Sequence, residues 1–327
     1  MKPNNKSRWE TAVDALPLGV IIFAESGKEV WRNSVASNIG GARHTEVLID
    51  NAVNQISRLV LGGESMSSQM NLSGPPIREI SLQGIPLVDG GALVTVKDIT
   101  DLLQLEKTRT DFVANLSHEL KTPVGAIAIL AELLESETDS DTVKKLAQRI
   151  EFESHRMTQM MDDLFELSGI EKTLALSSVV NLTELVLEVE NNLSLSASRA
   201  GILIKIIHED TPVLLMGDRA QLQSAISNLV ENAIKFSNAR DVVEVKIWLD
   251  ESNVFLTVSD QGIGIPAESL PRLFERFYRV DKARSRGTGG SGLGLAIASH
   301  AISNHRGTLT VASSEGEGSV FSICLPR

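Results

Sequence analysis

His118 stands in the run Phe112-Val113-Ala114-Asn115-Leu116-Ser117-His118-Glu119-Leu120-Lys121-Thr122-Pro123. At about 100° of turn per residue, it lies two positions from both Leu116 and Leu120 and so faces away from the apolar stripe, into water. An imidazole there is open to an electrophile. Glu119 is placed to take the proton of one ring nitrogen, which leaves the other as a nucleophile with a fixed tautomer. Thr122 shares the histidine face one turn on and is placed to orient a water. Pro123 has no N–H for the Glu119 carbonyl, so a kink is expected just past the reactive site. Alone, such a histidine reads as a surface residue; its neighbours make it a candidate.

A second group begins on the stretch Ala220–Ser237, introduced by Gly217-Asp218, a good helix start. Leu222, Ile226, Leu229 and Ala233 form its apolar stripe, and Asn228, Asn232 and Lys235 line a flanking one. Asparagine oxygens are hard ligands suited to Mg²⁺, and a lysine brings charge to phosphates. By themselves the three read as a solvated helix face. Downstream residues change that. After the apolar run Val254–Val258 comes Asp260-Gln261-Gly262-Ile263-Gly264-Ile265-Pro266. A carboxylate ending a strand can accept an exocyclic amine proton, and the glycines let backbone approach a flat ring. Gly287-Thr288-Gly289-Gly290-Ser291-Gly292-Leu293-Gly294-Leu295 then opens the apolar stretch Ala296–Ile302, presenting bare N–H groups to an anion. No strand–turn–helix crossover makes this a dinucleotide fingerprint.

Three regions must position these residues. Up to about Thr100, Leu18–Ala24 and Glu29–Trp31 flank a turn, Thr45–Leu61 has helical spacing, and Asp89-Gly90-Gly91 joins Ile77–Val88 to Ala92–Val96 as a hairpin. In Leu102–Ile170, Val113, Leu116, Leu120, Pro123, Ile127, Leu130 and Leu134 step alternately by three and four. Val143, Leu146, Ile150, Glu153, Met157, Met160, Leu164 and Leu167 do the same, with Glu153 the one charged member. Such a seam must bury itself against other helices. The short polar joint Ser136–Asp141 allows only an antiparallel hairpin. Two helices alone bury too little, so a homodimer closing a four-helix bundle is expected. From about Asn181 onward, helices and strands alternate as in an α/β sandwich.

The chain has 327 residues, enough for two or three domains. Its 42% hydrophobic content supports real cores. Lys and Arg number 31 against 42 Asp and Glu, a formal net charge of −11. That balance argues against nucleic acid and for protein and small-molecule partners. The lone cysteine, Cys324, permits no intrachain disulfide and sits in an apolar run that reads as core. His155 reads as solvated, and His44, His208, His300 and His305 lack metal-ligand spacing. Trp31 and Phe23 read as core packing before a ligand cavity. The longest apolar run, Leu18–Ala24, is too short to span a bilayer, and the first residues carry no signal-peptide pattern. A cytoplasmic chain is expected, membrane-anchored only if truncated, with association with membrane-bound partners left open.

Ser117-His118-Glu119-Leu120-Lys121-Thr122-Pro123 resembles the phosphoacceptor box of two-component sensor histidine kinases. By that resemblance His118 is the phosphoacceptor, Glu119 the base, and Thr122 the residue that supports dephosphorylation of the partner. The asparagine stripe, the Asp-x-Gly-x-Gly run and the glycine loop look like the Bergerat ATP-binding fold of histidine kinases, gyrase and MutL-type ATPases. Phe274-Glu275-Arg276-Phe277-Tyr278-Arg279 resembles the aromatic box of the kinase ATP lid. The resemblance implies that ATP and Mg²⁺ are used. Asn232 would bind Mg²⁺, Asp260 would read adenine, and Lys235 and Arg279 would contact phosphates. Asn228 would line the same wall, while Gly262, Gly264, Gly290, Gly292 and Gly294 would shape the lid. Asn304-His305-Arg306-Gly307 departs from the family's paired glycine at Arg306, with little catalytic effect expected.

The first region resembles a PAS domain, with Lys97-Asp98-Ile99-Thr100-Asp101 as its closing motif; an unrelated α+β spacer is the alternative. Phe112–Pro123 and Phe277–Arg286 also look like the phosphate-starvation sensor kinases of actinobacteria. The expected architecture is multidomain α+β: a PAS-like α/β sensor domain over 1–100, a dimerisation and histidine phosphotransfer hairpin over 101–175, and an α/β-sandwich ATP-binding domain over 176–327. The expected function is ATP-dependent autophosphorylation on His118, then transfer to an aspartate of a separate, cognate response regulator, with regulator phosphatase activity beside it. The competing reading is a Bergerat ATPase acting as a conformational clamp without a phosphohistidine.

Overall fold

A computed structural model of the chain describes residues 8–39, 43–74, 76–170, 178–208, 211–280 and 291–327. It divides into two compact units, Met1–Asp111 and Phe112–Arg327.

The first unit is built on five antiparallel strands. They are β1 (Gly19–Phe23), β2 (Glu29–Arg32), β3 (Met66–Leu72), β4 (Arg78–Pro86) and β5 (Ala92–Asp98), in the order β2-β1-β5-β4-β3. The expected strand–turn–strand pairs are present, and Gly90 takes the positive φ of 85° that its hairpin requires. Helices α1 (Arg8–Asp14), α2 (Ser34–Asn38) and α3 (Arg43–Val60) complete the unit. Ile49, Val53, Ile56 and Val60 of α3 are buried at alternating steps of four and three. The helix lies so close to β4 that a Cβ on Gly84 would stand 2.5 Å from Val60. Asn33 ties the start together. Its Oδ1 accepts from the amides of Val20 and Ala36, and its Nδ2 donates to the Leu18 and Val13 carbonyls. Phe23 is 1% exposed in this core, whereas Trp31 packs against Trp9 with ring centroids 5.3 Å apart.

The second unit opens within α4 (Thr100–Ser136), which forms a hairpin with α5 (Ser140–Ile170). Asp139 in the joint accepts from the amide and hydroxyl of Thr142, which caps α5. The seam that sequence spacing picks out is mostly the less exposed face of the hairpin. Met160 and Leu167 are buried, and Leu116, Leu120, Ile127 and Leu130 half-buried, while Val113 is 54% exposed. α4 runs unbroken through Pro123.

The rest of this unit is a layer of helices on a sheet. Strands β7 (Leu203–Ile207), β9 (Val242–Leu249), β10 (Asn253–Asp260), β11 (Thr308–Ser314) and β12 (Gly318–Pro326) form the order β11-β12-β10-β9-β7, parallel only between β7 and β9. β6 (Ser178–Asn181) pairs with β8 (Leu214–Gly217). Val254, Leu256 and Val258 of β10 face inward at period two, against α6 (Leu182–Ala200), α7 (Arg219–Phe236) and α8 (Gly294–Asn304). Asn181 and Asp218 cap α6 and α7. His305 is 3% exposed: one ring nitrogen lies 2.7 Å from the Ala301 carbonyl and the other accepts from the Asp218 amide at 2.9 Å. It therefore fastens the end of α8 to the start of α7.

Candidate active site

The His118 side chain is exposed on α4. Thr122, one turn on, donates its hydroxyl to the His118 carbonyl at 3.2 Å. Glu119 follows the helix about 100° further round and turns toward α5, where its Oε2 lies 3.9 Å from Arg156 Nη2. Among the described residues no hydrogen bond joins Glu119 to the imidazole.

Asp260 ends β10 with its side chain turned in, and the residue is 7% exposed. The amides of Gly262 and Ser319 both donate to its Oδ1, at 2.9 and 3.2 Å. Burial pushes this carboxyl above the usual aspartate range, and the two amides oppose the shift. The glycines around it are required by space. A Cβ on Gly262 would meet the Phe236 carbonyl at 2.2 Å, and Gly264, at φ 66°, lies against the Ser314 carbonyl. Backbone is thus packed around one fixed carboxylate.

Asn228, Asn232 and Lys235 are half-buried along α7, as their spacing indicates. Asn228 donates its Nδ2 to the Ser224 carbonyl, which leaves its Oδ1 over Gly294, where a Cβ would stand 2.3 Å away. The start of α8 and the asparagine stripe therefore share one wall. Burial pushes the Lys235 ammonium below its ordinary range, and the guanidiniums of Arg279 and Arg156 add to that shift. Arg279 is likewise lowered by burial, with Glu119 opposing. These groups converge on one region. Gly292 takes φ 73° against Phe277, itself at φ 61°, and the Phe277 amide donates to the Gly292 carbonyl at 2.9 Å. Gly290, with Arg284 and Arg286, lies outside the described residues.

The two halves of the site also touch. Phe112 packs on Phe277 with centroids 5.7 Å apart, and the Arg276 guanidinium sits 5.2 Å from the Phe112 ring. Ser291 donates its hydroxyl to Asp163 of α5 at 2.5 Å. A groove of about 340 Å³ between α5 and α7 is lined by Asp163, Glu166, Glu231 and Asn228. Its carboxylates would repel a triphosphate, so it is a junction between hairpin and sandwich that borders the Asn228–Gly294 wall. Sequence reasoning missed Arg156, Asp163 and Ser319. Only Arg156 had a signal, the charged Glu153 in an otherwise apolar seam.

Residues 108–173 match the His Kinase A (phospho-acceptor) domain family, and residues 217–327 match the Histidine kinase-, DNA gyrase B-, and HSP90-like ATPase family. The sensor-like histidine kinase SenX3 of Mycobacterium tuberculosis is 38% identical over 330 residues, spanning 96% of this chain and 78% of the relative. The chain is a sensor histidine kinase of a two-component system. The kinase is also 34% identical to the phosphate regulon sensor protein PhoR of Pseudomonas aeruginosa, over 96% of this chain and 73% of that one. The solved Acinetobacter baumannii histidine kinase AdeS superposes with TM-score 0.50 at 25% identity, covering 64% of the kinase and 97% of AdeS. Histidine kinase ThkA, solved in complex with response regulator protein TrrA, matches at TM-score 0.55 over 97% of this kinase and 98% of ThkA; at 18% identity that likeness is one of fold. The kinase thus joins a helical phosphoacceptor region to an α/β domain that binds ATP. No helix among its described residues is long and apolar enough to cross a membrane.

Proposed function

We propose that the kinase phosphorylates itself on His118 and passes the phosphoryl group to an aspartate of a separate response regulator. The observation that carries this is an exposed imidazole, on a helix with its seam turned inward, in the same compact unit as the buried Asp260 and the Asn228–Gly294 wall. Asp260 has Oδ1 committed to the fold, and Oδ2 is the oxygen on which the adenine amine lands. Lys235 and Arg279 balance phosphate charge, while Gly262, Gly264, Gly292 and Gly294 bring backbone close to the nucleotide. One ring nitrogen of His118 attacks the γ-phosphorus, the P–O bond breaks with its electrons leaving on ADP, and an N–P bond forms. The proton of the other ring nitrogen passes to Glu119. The regulator's carboxylate then attacks the same phosphorus and the imidazole recovers its electron pair. Placement and charge supply most of the rate, as a loose phosphoryl transition state requires. Thr122, one turn from His118, orients the water that dephosphorylates the regulator.

The donor set on α7 fits Mg²⁺. It is made of amide oxygens, which are hard, and Asn228 points its Oδ1 rather than its Nδ2 along the wall. Asn232 would hold the ion, with Asn228 lining the wall beside it. Bound there, Mg²⁺ neutralises charge on the phosphate oxygens.

A homodimer accounts for the apolar residues the hairpin leaves in water, among them Val113, Val124, Ile129 and Phe165 at 50–69% exposure. The domain division is 1–100 for sensing, 101–175 for dimerisation and phosphotransfer, and 176–327 for ATP. The antiparallel order β2-β1-β5-β4-β3, with helices inserted between β2 and β3, supports a PAS-like reading of the first domain. The name of the PhoR relative makes phosphate supply the first stimulus to examine. The test is a label chase. Kinase charged from γ-labelled ATP and stripped of nucleotide is expected to lose label to a regulator of its source organism. A protein that turns over ATP yet takes up no label favours the conformational clamp.

A further inference from the structure

Arg156 lies between two carboxylates of different helices. Its Nη1 is 3.6 Å from Glu153 Oε2 and its Nη2 is 3.9 Å from Glu119 Oε2. Neither distance is that of a hydrogen bond. The Arg156 and Glu153 side chains are each 16% exposed, yet Arg156 Nε and Glu153 Oε2 are buried with no hydrogen-bond partner among the described residues. Ions removed from water without good geometry do not recover their desolvation, so this cluster is a poor way to hold two helices together. An apolar seam residue would serve the hairpin better than Glu153. A half-satisfied buried ion group beside a reactive residue calls for a chemical reason.

The reason lies in what Arg156 faces. On α4 it faces Glu119, the neighbour of His118, and on its own helix Glu153. From α7 and from the end of the aromatic box, Lys235 and Arg279 both feel its charge, and Arg279 also feels Glu119. Glu119 is therefore a carboxylate contested by cations. Its present place, on the Arg156 side of α4, keeps it off the imidazole.

We propose that Arg156 is a positioning residue that restrains Glu119, so that the strength of this contact sets how readily Glu119 takes the His118 proton. The inference rests on the reading of Glu119 as the base. Glu153 shares the guanidinium, and its loose grip is what lets Arg156 hold or release Glu119.

The experiment measures kcat and KM for ATP in autophosphorylation by the full chain. Arg156→Gln is expected to raise kcat about fivefold, the equivalent of about 1 kcal/mol, with KM for ATP unchanged. Arg156→Lys restores the charge and is expected to bring kcat back toward the starting value. Because Arg156→Gln leaves Glu153 as a lone buried charge, the pair Glu153→Gln with Arg156→Gln is measured too and is expected to show the same rise. In a Glu119→Gln background, Arg156→Gln is expected to change nothing further. A fall in kcat, a change in KM, or an equal effect in the Glu119→Gln background would overturn the restraint while leaving Glu119 as the base. A Glu119→Gln kinase with undiminished kcat would remove the base itself, and the restraint with it.

Discussion

Asp163 of α5 accepts a 2.5 Å hydrogen bond from the hydroxyl of Ser291, the residue that leads into α8. Gln159 holds the other Asp163 oxygen at 2.9 Å, and Ser291 Oγ in turn accepts from the Leu293 amide. A carboxylate is thereby fixed near the start of α8, where bare amides favour negative charge. The phosphates of ATP compete for that same favourable end. Asp163→Asn keeps the shape and removes the charge, so ATP is expected to bind roughly threefold tighter, in line with a helix-end charge effect of several tenths of a kcal/mol. Isothermal titration of both proteins checks this, and weaker binding by the variant would contradict it.

Asp260 gives a pH dependence of known sign. Burial raises its carboxyl above the usual range, with the Gly262 and Ser319 amides opposing. A raised carboxyl favours the protonated form in the folded state. Its contribution to stability is therefore best at low pH and declines as pH rises through the raised value. The adenine contact proposed for Asp260 runs the other way, because it calls for the carboxylate as acceptor of the amine proton. ATP affinity is expected to fall on acidification at a pH above that of an ordinary aspartate. A binding titration against pH, repeated on Asp260→Asn, should show the acid limb in the first protein and not in the second.

Arg306 occupies φ 56° at the end of α8, where the resemblance leads one to expect glycine. A left-handed residue bearing a Cβ costs about 1 kcal/mol or more, against a smaller entropy term for glycine. Arg306→Gly is expected to raise the melting temperature by about 2 °C and leave ATP affinity alone, since Arg306 is exposed and follows His305 away from the nucleotide wall. Differential scanning calorimetry decides it.

Where one face of an element is buried, its residues announce it. The apolar run Val254–Val258 and the helical spacing of Thr45–Leu61 both correspond to observed cores, the second through Val53, Ile56 and Val60, although Ile49 rather than Val47 or Leu48 is the buried residue at its start. β3 went unread because Met66-Ser67-Ser68-Gln69-Met70-Asn71 is an edge strand with both faces largely in water, so no alternation marks it. The site was legible where chemistry and local backbone coincide. His118, the α7 stripe and Asp260 with its glycines each lie within one short run. Asp163 and Ser319 were not legible, and Arg156 only through the charged Glu153, because their partners Ser291, Asp260 and Glu119 are distant in sequence and only folding brings them together. His305 was discounted as a ligand, and the structure gives it a structural task, bridging Ala301 and Asp218.

Gly294 tests the nucleotide wall. A methyl group there would stand 2.3 Å from Asn228 Oδ1 and displace it, the three nearest atoms all being those of Asn228. Overpacking of this kind costs about 1–3 kcal/mol, so Gly294→Ala is expected to weaken ATP binding on the order of tenfold. Circular dichroism should stay unchanged. Normal ATP affinity in the variant would mean that Asn228 and the start of α8 do not share a phosphate wall.

Covalent capture of phosphate by His118 is the claim on which the rest depends, and γ-labelled ATP measures it directly. The intact kinase is expected to take up label that is lost in acid and retained in base, as a phosphoramidate bond requires. His118→Gln is expected to take up none while still binding ATP. Acid-labile, base-stable label on the His118→Gln protein would contradict the account.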